Sequence, residues 1–249
     1  HKEGIMTIQE TLLKNGFYVG KLEELVSDQD QFNRYSDIIM NYEYPIDQWD
    51  CFYPLRDPRP NGIEFHKHQE QWPSIIPLAD VPARDKYCAE NGMTFDQKWY
   101  RLLYERDEIG RIKHEYFRGL TLKFVEKAYP YIPLEKVRHN DCYALYDDNG
   151  CFISRHRDGQ LGKFMAIIIY MTPAETWQDG GGEFLCGTDV DQNPVSDKII
   201  PVRGNFVVLD FSRHDAWHEV LPVKNGFKRW SYLNFVRQEG QPGSVEDSH

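Results

Sequence analysis

After Pro133 the chain breaks into short apolar and aromatic segments at close intervals: CYALY, CFISRH, FMAIIIYM, GEFLCG, KIIPV, NFVVLDF, HEVLPV and RWSYLNFV. Each is rich in β-branched or aromatic residues and is bounded by Gly, Asp, Asn or Pro, the composition of strands joined by turns. Eight such segments in about 100 residues favour antiparallel pairing over βαβ units, whose crossovers each need a helix. They predict an α+β fold with a double-sheet jelly-roll core, buttressed on one face by N-terminal helices.

The preceding 135 residues read as mainly helical. Thr7-Ile8-Gln9-Glu10 is a capping-box pattern, and Asn15-Gly16 is a stop for the helix that it starts. A short strand, FYV, follows. Apolar residues recur at helical spacing from Leu22 to Ile39 and again from Thr94 to Ala128, with Gly110 as a break in the second stretch. Between them, Tyr44 to Pro82 holds WDCFYPLRDPRPNG, whose three prolines preclude long regular structure. Its Trp49, Phe52, Tyr53, Arg56 and Arg59 suit either a lid over a site or a packed arm. The expected division is 1–135 for this helical region, 136–240 for the jelly-roll core and 241–249 for a flexible tail.

Composition narrows the function classes. With 41% hydrophobic residues in 249, the chain can fill a core, and its longest apolar run, FMAIIIYM, is strand length and too short for a bilayer. The opening HKEGIMTIQE lacks a basic region followed by an apolar core, so no secretory signal is expected. Five cysteines without a CxxC pair argue against a disulfide framework and against a cysteine zinc site, and favour a reducing cytoplasm. A net charge of -10 with no Lys/Arg cluster speaks against nucleic acid as a partner.

The chemistry concentrates in three places. In CFISRHRDGQ, His156 and Asp158 would project to one side of an extended segment; His218 lies 62 residues on, and Arg229 a further 11. Two imidazoles and one carboxylate on one face of an octahedral ion leave three positions open, the arrangement of non-haem Fe(II) oxygenases. A bidentate organic acid completing such an ion needs a fixed cation for its remote carboxylate. Arg229 fits that role as a planar fork, with Lys228 as the nearest rival. His214 and His218 imitate a helical HExxH zinc site, but Asp replaces Glu and Pro222 follows too soon for a helix. His66 and His68 share a face without a third ligand.

From Asp141 to Arg237 these motifs resemble the Fe(II)/2-oxoglutarate-dependent dioxygenases, in particular the prolyl-4-hydroxylase-like branch. Further matches are Tyr146 in YDDNGCFISRHRD, Tyr170 in AIIIYM, the GGGEF turn from Gly180 to Phe184, RGNFVVLDF before His218, and Ser231 two residues after Arg229. The resemblance implies Fe(II) held by His156, Asp158 and His218, with 2-oxoglutarate and O2 as co-substrates and ascorbate as a stimulant. It implies Arg229, Ser231, Tyr146 and Tyr170 as co-substrate contacts, although both tyrosines also suit ordinary half-buried strand positions. The implied reaction turns 2-oxoglutarate into succinate and CO2 and hydroxylates a C–H bond of a small molecule, such as an amino acid or derivative, or of a peptidyl residue. Asp158 argues against halogenation, which uses a small residue there. Desaturation, cyclisation, demethylation and a non-catalytic metal-stabilised binding module remain alternatives.

Overall fold

The computed structural model describes residues 4–56, 73–158, 162–188, 197–212 and 215–240. The expected tail, Arg59, His66, His68 and His214 lie outside the described residues. Helix α1 (Ile8–Asn15) starts at Thr7, whose side chain accepts from the Glu10 amide at 3.1 Å while the Glu10 carboxylate accepts from the Thr7 amide at 3.0 Å. Gly16 ends it with φ 78°. Strand β1 (Phe17–Lys21) follows, then α2 (Gln29–Asn41), which buries Phe32 and Ile39.

The stretch expected to be irregular or helical also contains strands: β2 (Trp49–Phe52), β3 (Leu55–Arg56) and β4 (Ile75–Pro77), then α3 (Val81–Asn91), β5 (Thr94–Phe95) and β6 (Gln97–Leu102). Burial alternates along β6, with Lys98, Tyr100 and Leu102 buried, so its period is two rather than the helical period expected from Thr94 onward. The helix begins only at Asp107. It runs as α4 (Asp107–Arg111), a π-helical turn at Ile112–Phe117, and α5 (Arg118–Ala128). Gly110 does not break it; a Cβ there would lie 2.1 Å from the Glu105 carbonyl oxygen, so glycine permits a close backbone approach.

The remaining strands are β7 (Val137–Asp147), β8 (Phe152–His156), β9 (Lys163–Tyr170), β10 (Phe184–Thr188), β11 (Asn205–Asp210), β12 (Ala216–Val220) and β13 (Arg229–Gln238). KIIPV forms only one isolated bridge, Phe184 to Ile199, and Pro201 lacks the amide that a longer ladder would need. The sheet order is β1-β11-β9-β13-β7-β6-β8-β12-β10, with β2 and β4 attached at β6. The fold-over occurs at β6: Tyr100 to Leu102 pair with β7, whereas Gln97 and Lys98 pair with β8. The two limbs meet around an inner core in which Ala166, Ile168 and Tyr170 face Phe184, Cys186 and Val220.

This is the jelly-roll, or double-stranded β-helix, architecture. Strand β9 is buried on both faces, because Met165, Ile167 and Ile169 join the second core beneath the helices. That explains its unbroken apolar run where a half-exposed strand would alternate. On the helical side Phe117 stacks on Tyr232 with centroids 4.7 Å apart, and Phe124 meets Phe206 edge-on at 5.8 Å.

Candidate metal centre

Strand register creates the centre. His218 of β12 lies directly opposite His156 of β8, and the pairing slips between His218 and Val220, a bulge of the kind that re-aims side chains. Phe184 of β10 stacks along the His218 ring at 5.5 Å and 16°. Strand β8 ends at His156, so Asp158 reaches the site from the segment after the strand rather than from an extended continuation of it. His218 sits within its strand, which begins at Ala216.

His156 Nε2 lies 3.2 Å from Asp158 Oδ1, and His218 Nε2 lies 3.3 Å from Asp158 Oδ2. One ligand atom from each of the three residues fits within 4.8 Å of the others. Nδ1 of His156 is 2.8 Å from the Ser154 carbonyl oxygen, where it donates as N–H and leaves Nε2 with a lone pair toward the centre. The trio therefore presents lone pairs to one point, which a cation satisfies. Ligands about 2.1 Å from an octahedral ion stand about 3 Å apart at right angles, close to the separations found.

Electrostatics suit the same occupant. Burial pulls the His218 imidazole down to about 4, so it is neutral at physiological pH. Burial raises the Asp158 carboxyl, but the adjoining His218 and His156 outweigh it and hold the group below its ordinary value. For His156, burial is outweighed by the hydrogen bond and charge of Asp158, and the net shift is upward. A metal ion competes with that proton.

A cavity of about 270 Å³ is lined by this trio together with Arg229 and Ser231 of β13 and with Phe52, Ile75, Trp99 and Arg101. Arg229 is 3% exposed; its Nε donates to the Gly182 carbonyl at 2.9 Å and its Nη1 to Asp147 Oδ2 at 3.2 Å. Gly181 and Gly182 have φ of 66° and 71°, so the glycine turn has the left-handed backbone that glycine favours. A Cβ on Gly182 would meet Arg229 Cδ at 2.8 Å. The turn thus cradles the arginine.

The Tyr170 hydroxyl and Ser231 Oγ are buried with no hydrogen-bond partner among the described residues, and the Arg229 guanidinium lies 5.3 Å from the Tyr170 ring. A cation flanked by two unused hydroxyls fits a carboxylate. Burial lifts Tyr170 to about 12, so it stays a donor.

Tyr146 requires correction. Side chains alternate along β7, so Tyr143, Leu145 and Asp147 face the interior while Tyr146 faces the opposite side, packed against Trp49, Tyr100 and Trp230. Lys228, one residue from Arg229, points with it and lies 5.8 Å from the Tyr146 ring. Trp49 and Arg56 also miss the cavity, the latter pairing with Asp96 at 2.9 Å. Sequence reasoning missed Asp147 and the β6 residues. A buried cation calls for a buried anion nearby, and the DD of YDDNG offered two candidates.

Residues 141–237 match the family model described as the 2OG-Fe(II) oxygenase superfamily. They form a 2OG-Fe(II) oxygenase domain. The oxygenase is accordingly an oxidoreductase whose chemistry requires Fe(II), 2-oxoglutarate and dioxygen. Its fold is similar to a 2OG-Fe(II) oxygenase-family oxidoreductase from Burkholderia pseudomallei, 14% identical, with 98% of this chain and 95% of that chain covered and a TM-score of 0.53. It is also similar to the non-haem alpha-ketoglutarate-dependent epimerase SnoN from nogalamycin biosynthesis, 9% identical, covering 96% and 86% at a TM-score of 0.50. A Pseudomonas putida prolyl-4-hydroxylase aligns at 15% identity over 94% and 98%, with a TM-score of 0.48. No curated protein matches the sequence. Among the described residues no helix is long and apolar enough to cross a membrane.

Proposed function

We propose that His156, Asp158 and His218 hold Fe(II), that Arg229, Tyr170 and Ser231 receive the distal carboxylate of 2-oxoglutarate, and that the oxygenase hydroxylates a C–H bond of a small amino-acid-type substrate. One observation carries the reading. A single cavity joins three converging lone-pair donors to a buried cation flanked by unpartnered hydroxyls. Fe(II), when bound, would activate dioxygen, which is the oxidant, with 2-oxoglutarate giving up two electrons as it is converted to succinate and CO2.

The chain supplies position and dryness. Arg229, fixed by Gly182 and Asp147, orients the co-substrate, while Leu145, Ile168 and Leu233 line the space with apolar surface and limit water. In the cavity wall Phe52 stacks on Trp99 at 5.2 Å, giving a flat apolar surface. Arg101 stands beside it, held by Asp50 through two bonds of 3.0 and 2.5 Å and lying 4.7 Å from the Tyr143 ring. A preset guanidinium next to an apolar wall suits a compact molecule with a carboxylate and a hydrocarbon part.

An anaerobic titration of the iron-loaded protein with 2-oxoglutarate tests the co-substrate role. A weak visible charge-transfer band that saturates at one equivalent is expected, and a binding module without this chemistry would give none. A panel of amino acids, metabolites and peptides, read by succinate release and mass shift, tests the substrate class. A panel in which only peptides are oxidised would overturn the small-molecule assignment.

A further inference from the structure

The buried carboxylate that helps to fix the co-substrate cation has one oxygen to which no role has been given. Asp147 ends β7 opposite Arg229 of β13 and is 4% exposed. Its Oδ2 accepts from Arg229 Nη1 at 3.2 Å, whereas its buried Oδ1 has no hydrogen-bond partner among the described residues. The inference rests on the reading that 2-oxoglutarate docks its distal carboxylate at Arg229. Two carboxylates would then share one guanidinium in a buried site, where the second negative charge disfavours ionisation of the first.

We propose that Asp147 takes up one proton from solvent when 2-oxoglutarate binds, so that co-substrate binding is proton-coupled. The step is a protonation only: a new O–H bond forms on the carboxylate, and the negative charge lost from Asp147 is replaced by that of the incoming carboxylate. Arg229 keeps one anionic partner throughout. The protonated group also becomes a hydroxyl donor, which a buried carboxylate with an unused oxygen cannot be.

The surroundings favour the step. Burial, chiefly, already lifts the free Asp147 carboxyl to about 6, against the lowering effect of Arg229 and of the Tyr100 amide of β6. The other groups facing it are Asp148 next in the chain, the Cys51 and Cys151 thiols, and the Tyr170 hydroxyl of β9. Burial raises both thiols and the tyrosine, so all three stay neutral. Asp148 adds negative charge and pushes the same way as the ligand.

The sign follows. Free Asp147 is ionised at pH 7.5, and the ligand raises its pKa further. Affinity is therefore highest near and below pH 6 and falls by up to about tenfold per pH unit above it, until the pKa of the complex is passed. The carboxylates of 2-oxoglutarate are ionised over this range, so they do not supply the trend.

The experiment is anaerobic calorimetry of the Fe(II)-loaded oxygenase with 2-oxoglutarate at pH 7.5, in buffers of different ionisation enthalpy. Net uptake approaching one proton per ligand is expected for the wild type and none for Asp147→Asn, whose affinity should be flat from pH 6.5 to 8.5. Infrared difference spectra should show a protonated-carboxyl C=O stretch appearing with ligand in the wild type and not in the variant. Binding without proton uptake, or equal uptake by the variant, overturns the proposal while leaving co-substrate docking intact. Absence of both binding heat and the charge-transfer band overturns the docking and the proposal together. Should Asp147→Asn fail to fold, the wild-type proton count and infrared band decide alone.

Discussion

Replacing Gly182 by alanine isolates the placement of Arg229 from the metal centre. The substitution acts twice. A non-glycine residue at φ 71° is strained by about 1 to 2 kcal/mol, which should appear as lost stability. The new Cβ would also stand 2.8 Å from Arg229 Cδ and 3.2 Å from Val223 Cγ2. Carbon atoms pack at about 3.5 to 4.0 Å, so the arginine stem must retreat by roughly 0.7 Å or more. Val223 closes part of the space around the turn, so the guanidinium cannot keep both its Gly182 bond and its alignment. Losing one charge-assisted hydrogen bond costs about 1.5 to 3 kcal/mol, or roughly 10- to 150-fold in 2-oxoglutarate affinity. Fe(II) affinity should stay within about twofold, because His156 and His218 belong to β8 and β12. The assay is the anaerobic charge-transfer titration, with a separate metal titration and thermal unfolding on the same preparation. Wild-type affinity for 2-oxoglutarate in Gly182→Ala would refute the claim that the turn places the arginine, and parallel losses of iron and co-substrate would point to general unfolding.

His156→Ala or His218→Ala should abolish turnover and weaken Fe(II) binding while circular dichroism and the unfolding transition persist, since each removes one of three ligands; near-normal turnover at limiting iron would sink the trio. Arg229→Gln should raise the 2-oxoglutarate requirement by about one to two orders of magnitude with little effect on iron, and an unchanged requirement would shift the role to another cation. Phe52→Ala or Trp99→Ala should lower product formed per succinate released while substrate-independent succinate formation continues, because these residues line the cavity without belonging to the proposed iron or 2-oxoglutarate contacts. An unaltered ratio in both variants would place substrate elsewhere.

The residues of the proposed metal trio could be singled out in the sequence because their types and order carry chemistry irrespective of exact geometry, and the strands bearing them had strong β patterns. Strand β7 shows where legibility ends. Tyr146 and Asp147 are adjacent, and only the register with β13 decides which of them meets Arg229. Register is a tertiary property, and a slip of one residue exchanges the faces. Strand β6 failed for a related reason: Trp99, Leu102 and Leu103 imitate a helical stripe, while the sheet contacts that set a period of two come from residues far along the chain. The glycine turn was readable as a turn, but its grip on Arg229 depends on a contact 47 residues distant in sequence.

Strand β1 pairs with β11 from Phe17↔Leu209 to Lys21↔Asn205, so one edge of the sheet is completed by a strand from far earlier in the sequence. On a ribosome adding about 5 to 20 residues per second, the strand emerges roughly 10 to 40 seconds before its partner is made. Until then Phe17–Lys21 has no ladder to join, and afterwards the hydrogen-bonding edge of β11 stays bare until it docks. Docking of this segment is therefore a late event of assembly. A chain shortened to begin after Lys21 would keep every proposed iron and 2-oxoglutarate contact yet carry a permanently open edge, and self-association rather than lost chemistry is the defect to expect from it.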